Sequence, residues 1–284
     1  MNIVDAHPHI YSSDRQKYPT IDDAWNPGEP ATAEDLKAKM DDASVAKAVF
    51  IQTSTFYAHD NRYVMDSVRQ HSEWATGVVT LSPDDSQHLE VLADAVTNYS
   101  VRGLRGTSDQ NGEISSPNVR RLWSKARDLG ITVNCMVMDD LERLYEIELM
   151  ARQLDDLNIV IDHCFMLNTI RKTEETIQSL ERLSNLPNVN AKLTSGTHGS
   201  ARIYPHEDMH TPLKRVIEAF TPQRCVWGSN FPNALWSKGT TYAQNLSLFT
   251  DELGLSQNDK EAILGKTAER LWFSQAQPCI TTDQ

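Results

Sequence analysis

The chain lacks the features of several protein classes. No stretch of its 284 residues is apolar for long enough to span a bilayer, and residues 1–5 have neither the basic nor the apolar region of a signal peptide. The formal net charge of −12 argues against a nucleic-acid partner, which would need a basic face. We therefore expect a cytoplasmic protein with no membrane or nucleic-acid partner.

Cysteine and glycine motifs are equally scarce. The four cysteines, Cys135, Cys164, Cys225 and Cys279, are scattered without any C-x-x-C spacing, which predicts reduced thiols. No G-x-G-x-x-G turn follows the first apolar run, and this weakens the case for an open, doubly wound nucleotide-binding sheet.

What the chain does contain is a regular alternation of short apolar runs with longer helical patterns. Continuous apolarity in the runs is typical of parallel strands that are buried on both faces. Eight strands alternating with helices predict an α/β fold, a single-domain (β/α)8 TIM-type barrel over residues 1–274, with a polar tail at 275–284. An open doubly wound sheet is the structural alternative. The predicted strands are residues 3–6, 46–52, 75–81, 101–104, 131–137, 159–161, 189–193 and 225–227.

A long segment at residues 11–32 carries no helical or strand pattern and is rich in proline, aspartate and aromatic residues. Loops of this length in compact domains often act as lids or binding loops. A packed surface excursion is the alternative.

Histidines follow the predicted strands where a barrel enzyme has its active site. His7 and His9 end the first strand, and two residues at i and i+2 of an extended segment point the same way. His163 ends the sixth strand, so it shares the carboxyl-end rim with the first pair. Three imidazoles could bind one ion or one substrate oxygen, although histidines hydrogen-bonded within loops would give the same pattern. Asp162 should alternate to the other side and support the barrel.

Two basic residues lie in or beside predicted strands. Arg105 follows the last apolar residue of the fourth strand, where a guanidinium suits a carboxylate, a polarised carbonyl or a salt bridge inside the barrel. Lys192 lies inside the apolar seventh strand, which predicts either an ion pair or a bound substrate anion, and we favour a structural role for it.

In this order the strand ends resemble the amidohydrolase superfamily. Within it they are similar to the amidohydrolase-2 branch, which includes the 2-pyrone-4,6-dicarboxylate lactonases, sugar lactonases and related decarboxylases. The likeness covers nearly the whole chain. The matching segments are residues 4–9, 59–63, 103–106, 161–163, 191–193, 227–232 and 265–272.

The resemblance implies a hydrolase that opens a small carboxylated or sugar-acid lactone. It implies that His7, His9 and His163 polarise the substrate or bind one divalent metal ion, with Zn²⁺ preferred, or work without metal. It makes Arg105 the anchor of a substrate carboxylate. The fifth run has no histidine and no counterpart of a carboxylated lysine is evident, so two metals are not expected. Further substrate contacts are predicted for Gln52, Asn61, Lys192, His198 and Arg202.

Asn230 is the departure from the pattern, because the resemblance places the catalytic aspartate there. An amide cannot take a proton from water as a carboxylate does. The chain is then an inactivated Asp-to-Asn hydrolase, which we favour, a natural non-hydrolytic relative such as an isomerase or carboxylate-binding protein, or an enzyme in which His163 or His198 is the base. A metal-dependent decarboxylase of an aromatic acid is the other enzyme class, and a homo-oligomer is compatible with every alternative.

Overall fold

The structure is a computed structural model that describes residues 1–137, 141–194, 199–237 and 239–274. The predicted tail at 275–284 and His198 lie outside the described residues. No described helix has the length and apolarity that crossing a membrane requires.

Eight parallel strands pair in strict sequence order, each with the next along the chain. The amide of Ala6 donates to the carbonyl of Trp227 at 3.1 Å, so the last strand also meets the first. The predicted (β/α)8 barrel is confirmed, and the sequential order excludes a doubly wound sheet. The strands are β1 (Ile3–Asp5), β2 (Val45–Ile51), β3 (Ala75–Thr80), β4 (Gly103–Gly106), β5 (Thr132–Cys135), β6 (Ile159–Ile161), β7 (Val189–Leu193) and β8 (Cys225–Trp227).

Helices surround the strands, and local signals start several of them. Thr32 and Asp35 form a reciprocal capping box at the first long helix, and Ser116 caps a helix whose first residue is Pro117. The helices are α1 (Ala33–Asp42), α2 (Ser54–Tyr57), α3 (Arg62–Gln70), α4 (His88–Tyr99), α5 (Pro117–Asp128), α6 (Leu144–Gln153), α7 (Thr173–Leu183), α8 (Glu207–Phe220), α9 (Asn233–Trp236), α10 (Tyr242–Ser247) and α11 (Gln257–Glu261).

Wider π-helical turns extend the last two helices. Residues Leu248–Glu252 continue α10, while Ala262–Lys266 and Glu269–Phe273 lie beyond α11. The sequence after the eighth strand has two helical patterns, at 242–253 and 258–272, and both helices are present, with π-turns that hydrophobic periodicity does not reveal.

The amino-terminal end of the barrel is plugged by this closing segment. Leu271 and Trp272 are buried against an inner layer that includes Val4 and Val78. The fit is close at Gly103, where an added Cβ would lie 2.6 Å from the Val78 side chain and 3.3 Å from the Trp272 indole nitrogen. With that end filled, the carboxyl-end rim is left for chemistry.

Candidate active site

Three histidine rings meet at the carboxyl-end rim. The centroids of His7 and His163 are 4.4 Å apart, and those of His7 and His9 are 4.9 Å apart. His7 is fully buried, while His9 and His163 reach the wall of a cavity. The structure therefore brings together the three histidines that the sequence placed at two strand ends.

Hydrogen bonds and burial determine the state of the rings. Nδ1 of His9 lies 2.8 Å from the carbonyl oxygen of Ile51, which can only accept, so this nitrogen carries the proton and Nε2 keeps its lone pair. Nδ1 of His163 lies 2.6 Å from the hydroxyl of Thr194. Burial, with the nearby Arg105 cation, lowers the pKa of His9 to about 3. Burial and neighbouring His163 also hold the pKa of His7 well below its usual range, so both rings are neutral at pH 7.

Asp162 lies at the centre of a buried ionic network. Its Oδ1 is 2.8 Å from the Lys192 ammonium and 3.7 Å from Nδ1 of His7, and its Oδ2 is 3.7 Å from Nε of Arg105. Asn134 donates to the same carboxylate at 3.4 Å. The expectation that Asp162 turns away from the site was therefore wrong.

The conformation of the backbone after β6 explains why Asp162 faces the site. Alternation of side chains holds only while a strand continues. The strand ends at Ile161, and Asp162–Cys164 form a tight helical turn with His163 at φ 55°. Two consecutive side chains, Asp162 and His163, can therefore face the same interior.

Lys192 forms the ion pair that was one of the two alternatives for its position in an apolar strand. Its side chain is fully buried, forms the ion pair with Asp162, and places its ammonium 5.2 Å from the centre of the Trp272 ring. Burial lowers the pKa of the lysine, and the Asp162 carboxylate counteracts that effect. The ion pair agrees with the structural role that the sequence favoured.

A second buried carboxylate, that of Asp5, links β1 to the segment that follows β8. Asp5 accepts from the amides of Ser229 and His7 at 2.8 and 3.2 Å and from the Tyr242 hydroxyl at 3.0 Å. Burial raises the pKa of this carboxyl group despite these bonds. An added Cβ at Gly228 would lie only 2.5 Å from the Cβ of His7, so a glycine is needed for this approach.

Asn230 lies where these strands meet. Its backbone N–H donates to the carbonyl of His7 at 3.0 Å, and its side chain lines the cavity beside His9 and His163. Its φ is 55°, a conformation that asparagine and aspartate tolerate better than other residues with a side chain. The backbone thus accepts either residue at this position.

The cavity above the histidines has a volume of about 390 Å³, within the range for a small ligand. Arg105 is the only charged side chain among the described residues of its lining, apart from ionisable histidines, and its guanidinium also donates to the carbonyl of Gln52 at 3.4 Å. The lining consists of His9, Trp25, Thr53, Ser54, Thr55, Arg105, Thr107, Met136, His163, Met166, Asn230 and Trp236.

Other predicted contact residues lie elsewhere. The Gln52 side chain donates to the carbonyls of Ala58 and Asp60. Asn61 binds backbone groups of His59 and Thr80. Neither side chain is in the cavity lining, nor are Lys192 and the exposed Arg202, which pairs with Glu207 at 3.2 Å. The two methionines of the lining were not predicted as site residues. Trp25 and Trp236 could be named from the sequence as aromatic residues near the pocket, but packing was the favoured interpretation because isolated aromatic residues more often belong to a core.

A divalent metal does not fit the arrangement that the described side chains adopt. The donor chemistry is suitable, since three imidazoles are typical zinc ligands. Within residues 1–137, 141–194, 199–237 and 239–274, however, no three His, Cys, Asp or Glu side chains have the spacing that would hold an ion. Arg105 and Lys192 also bring positive charge to the same end of the barrel.

The barrel and its histidine-lined rim define a (β/α)8-barrel protein whose candidate active site lies at the carboxyl ends of the strands. Residues 4–273 match the Amidohydrolase family, and the chain belongs to that family. The resemblance inferred from the sequence is thereby confirmed.

Three known proteins illustrate the relationship. A 4-sulfomuconolactone hydrolase from Rhizobium radiobacter is 23% identical over 238 residues, covering 81% of this chain and 75% of the relative. A D-galactarolactone isomerase from Agrobacterium fabrum is 24% identical over 258 residues, covering 88% and 83%. A crystal structure from Acinetobacter baumannii, of a probable 2-pyrone-4,6-dicarboxylic acid hydrolase with citric acid bound, matches with a TM-score of 0.81 at 16% identity, covering 96% of this chain and 99% of that one. This last likeness concerns the fold.

Proposed function

We propose that the protein acts on a small lactone that carries a carboxylate, opening the ring with water and without a metal ion. The observation that carries the proposal is a small cavity in which Arg105 is the charged group and the neutral imidazole of His9 lies beside that of His163. A single guanidinium can bind one carboxylate in bidentate geometry. The lactone chemistry is suggested by the hydrolase and isomerase relatives.

In the proposed reaction Arg105 holds the substrate carboxylate and directs the lactone carbonyl toward the histidines. The oxygen of a water molecule attacks the carbonyl carbon, and the ring C–O bond breaks. The water's proton passes to an imidazole and then to the departing alkoxide. His163 is the proposed base, because it lines the cavity and its ring is held by Thr194.

The environment of the site suits this chemistry. Negative charge that develops on the carbonyl oxygen would be stabilised by the cation of Arg105, which lines the cavity and is itself buried from water. Asp162 orients the cations of Arg105 and Lys192 and faces Nδ1 of His7. We propose positioning roles for Asp162 and Lys192.

Asn230 determines how fast this reaction can be. Its amide can orient the water but cannot take its proton, so we propose that the chain is a hydrolase weakened by an asparagine at the position of an aspartate. The rim around it holds the histidines and arginine that the family resemblance implies, and the backbone at Asn230 has a φ of 55° that aspartate also tolerates.

The same residue favours a second candidate. An isomerase that moves the acyl group between two hydroxyls of one substrate uses a substrate hydroxyl in place of water. The proton of that hydroxyl would pass through His163 to the departing alkoxide, so the candidate does not require a carboxylate base at position 230. The similarity to a D-galactarolactone isomerase is in keeping with this candidate. A carboxylate-binding protein would share the cavity but release no product, and a decarboxylase would require a tightly held metal.

Incubation of the protein with a panel of carboxylated and sugar-acid lactones, followed by NMR, separates these candidates. Ring-opened acid supports hydrolysis, a new lactone regioisomer supports isomerisation, and loss of CO₂ from aromatic acids with loss of activity on chelation supports the decarboxylase. No product from any substrate, including with the Asn230→Asp variant, would contradict the proposed enzyme.

A cytoplasmic location is also a proposal, based on the sequence.

A further inference from the structure

One wall of the cavity is built from aromatic rings that step inward from the surface. The ring centroids of Trp25 and Trp236 are 5.1 Å apart, and those of Trp236 and His9 are 5.8 Å apart. Trp25 is 55% exposed although it lines the cavity. A large, exposed indole at the mouth of a cavity offers a face to a ligand.

Backbone hydrogen bonds hold both tryptophans in place before any ligand binds. The amide of Trp25 donates to Thr55 at 3.1 Å, and the amide of Ile21 in the same loop donates to Phe56 at 3.0 Å. Trp236 lies on α9, which is tied to the end of β8 by the Asn233 side chain donating to the carbonyl of Ser229 at 3.2 Å. The long loop at 11–32 therefore presents Trp25 from an anchored backbone, and the wall is preorganised.

Two methionines of the lining suit a flat unsaturated ring. Met136 and Met166 line the same cavity, and thioethers make favourable contacts with aromatic rings. The described lining contains no aspartate or glutamate to accept hydrogen bonds from a ring bearing many hydroxyls. Arg105 matches a carboxylate on the ring.

We infer that Trp25 and Trp236 are specificity-determining residues that select a flat, conjugated ring carrying a carboxylate over a saturated ring of equal charge. The inference rests on the proposed function for the reaction and on the aromatic wall for the binding. The ring stacks on the indoles while Arg105 holds the carboxylate.

Calorimetric titration with benzoate and cyclohexanecarboxylate tests the binding directly, because the two acids share charge and carbon skeleton and differ in flatness and π-electrons. We expect benzoate to bind about tenfold more tightly, near the upper end of what one aromatic pair contributes. Trp25→Leu and Trp236→Leu should remove this preference, whereas Trp25→Phe and Trp236→Phe should keep most of it. Tyr145→Ala is the matched control, since Tyr145 is an exposed aromatic residue outside the cavity lining.

Equal binding of the two acids by the wild-type protein would overturn the inference, as would a preference that survives both leucine variants. Circular dichroism of each variant verifies its fold, and the phenylalanine variants supply a second comparison if a leucine variant unfolds. The lactone panel is read separately. A tryptophan-dependent preference for benzoate without turnover of any lactone leaves this inference standing and refutes the proposed function. Lactone turnover without the preference for benzoate overturns this inference and leaves the proposed function standing.

Discussion

The Lys192 ammonium lies 2.8 Å from Oδ1 of Asp162, and both side chains have no exposure to solvent. Two groups that would each be very unfavourable alone in the barrel interior are tolerated there as a pair. Because the carboxylate also faces His7 and Arg105, the pair connects the stability of the barrel with the geometry of the site.

Breaking this pair on one side should destabilise the protein strongly. We expect Lys192→Met to lower the free energy of unfolding by about 3–5 kcal/mol, because Asp162 loses its nearest counter-charge. The double variant Lys192→Met/Asp162→Asn should recover part of the loss, which urea unfolding in a double-mutant cycle would measure. Arg202→Ala, which breaks an exposed pair with Glu207, is the control and should change little. Strictly additive effects of the two buried substitutions would contradict the interpretation.

Restoring a carboxylate at the rim should raise activity. We expect Asn230→Asp to increase kcat for lactone opening by about 10²–10⁴-fold, the usual contribution of a positioned general base. Initial rates across the lactone panel at neutral pH provide the measurement, with Asn258→Asp as a control at an exposed position outside the cavity lining. Unchanged rates on every lactone would refute the weakened-hydrolase proposal and favour the isomerase or binding protein.

Removing the guanidinium from the cavity should act mainly on substrate binding. Arg105→Ala should reduce kcat/KM about 10- to 100-fold, because a hydrogen-bonded charge contributes about 1.5–3 kcal/mol. The loss should be smaller for lactones without a carboxylate. Arg215→Ala removes a half-buried arginine of α8 that pairs with Glu174 and Glu181 outside the cavity lining, and it should leave kcat/KM unchanged. Equal losses of kcat/KM for lactones with and without a carboxylate would show that Arg105 does not bind the carboxylate.

Lowering the pH from 7 to 4 should destabilise the fold through His9. His9 has a folded pKa of about 3 against an ordinary value of 6.5, so between these values the unfolded chain binds a proton that the folded chain does not. Stability is then lost as pH falls through this window, by up to about 1.4 kcal/mol per pH unit for one such histidine. Urea unfolding from pH 7 to 4 with EDTA present would measure the slope. His9→Gln should flatten it, and an unchanged slope would refute the assignment.

Chelation should leave the proposed reaction intact. We expect lactone opening to be insensitive to prolonged dialysis against EDTA, and elemental analysis to find well under one equivalent of zinc per chain. The spacing of the described His, Cys, Asp and Glu side chains motivates this expectation. One tightly bound equivalent that is lost in His9→Gln together with activity would contradict it and favour the decarboxylase.

Much of the rim could be read from the sequence because a parallel barrel places every strand's carboxyl end at one face. Once the alternation of runs and helices identified the barrel, His7, His9, His163, Arg105 and Asn230 had to lie near one another. The turn after β6 could not be read in this way, because left-handed backbone at His163 breaks the alternation that turned Asp162 outward in the prediction.

The sequence by itself determined the barrel, its order of strands and the location of the histidine rim, because these follow from periodicity and from chain direction. Only the tertiary structure decided that Asp162 joins Lys192, Arg105 and His7, and that Trp25 meets Trp236 across 211 residues of chain. The physical reason is that the two kinds of information act over different separations along the chain. Periodicity reports which face of an element is buried, whereas ion pairs and stacked rings depend on distances between elements that are far apart in the chain.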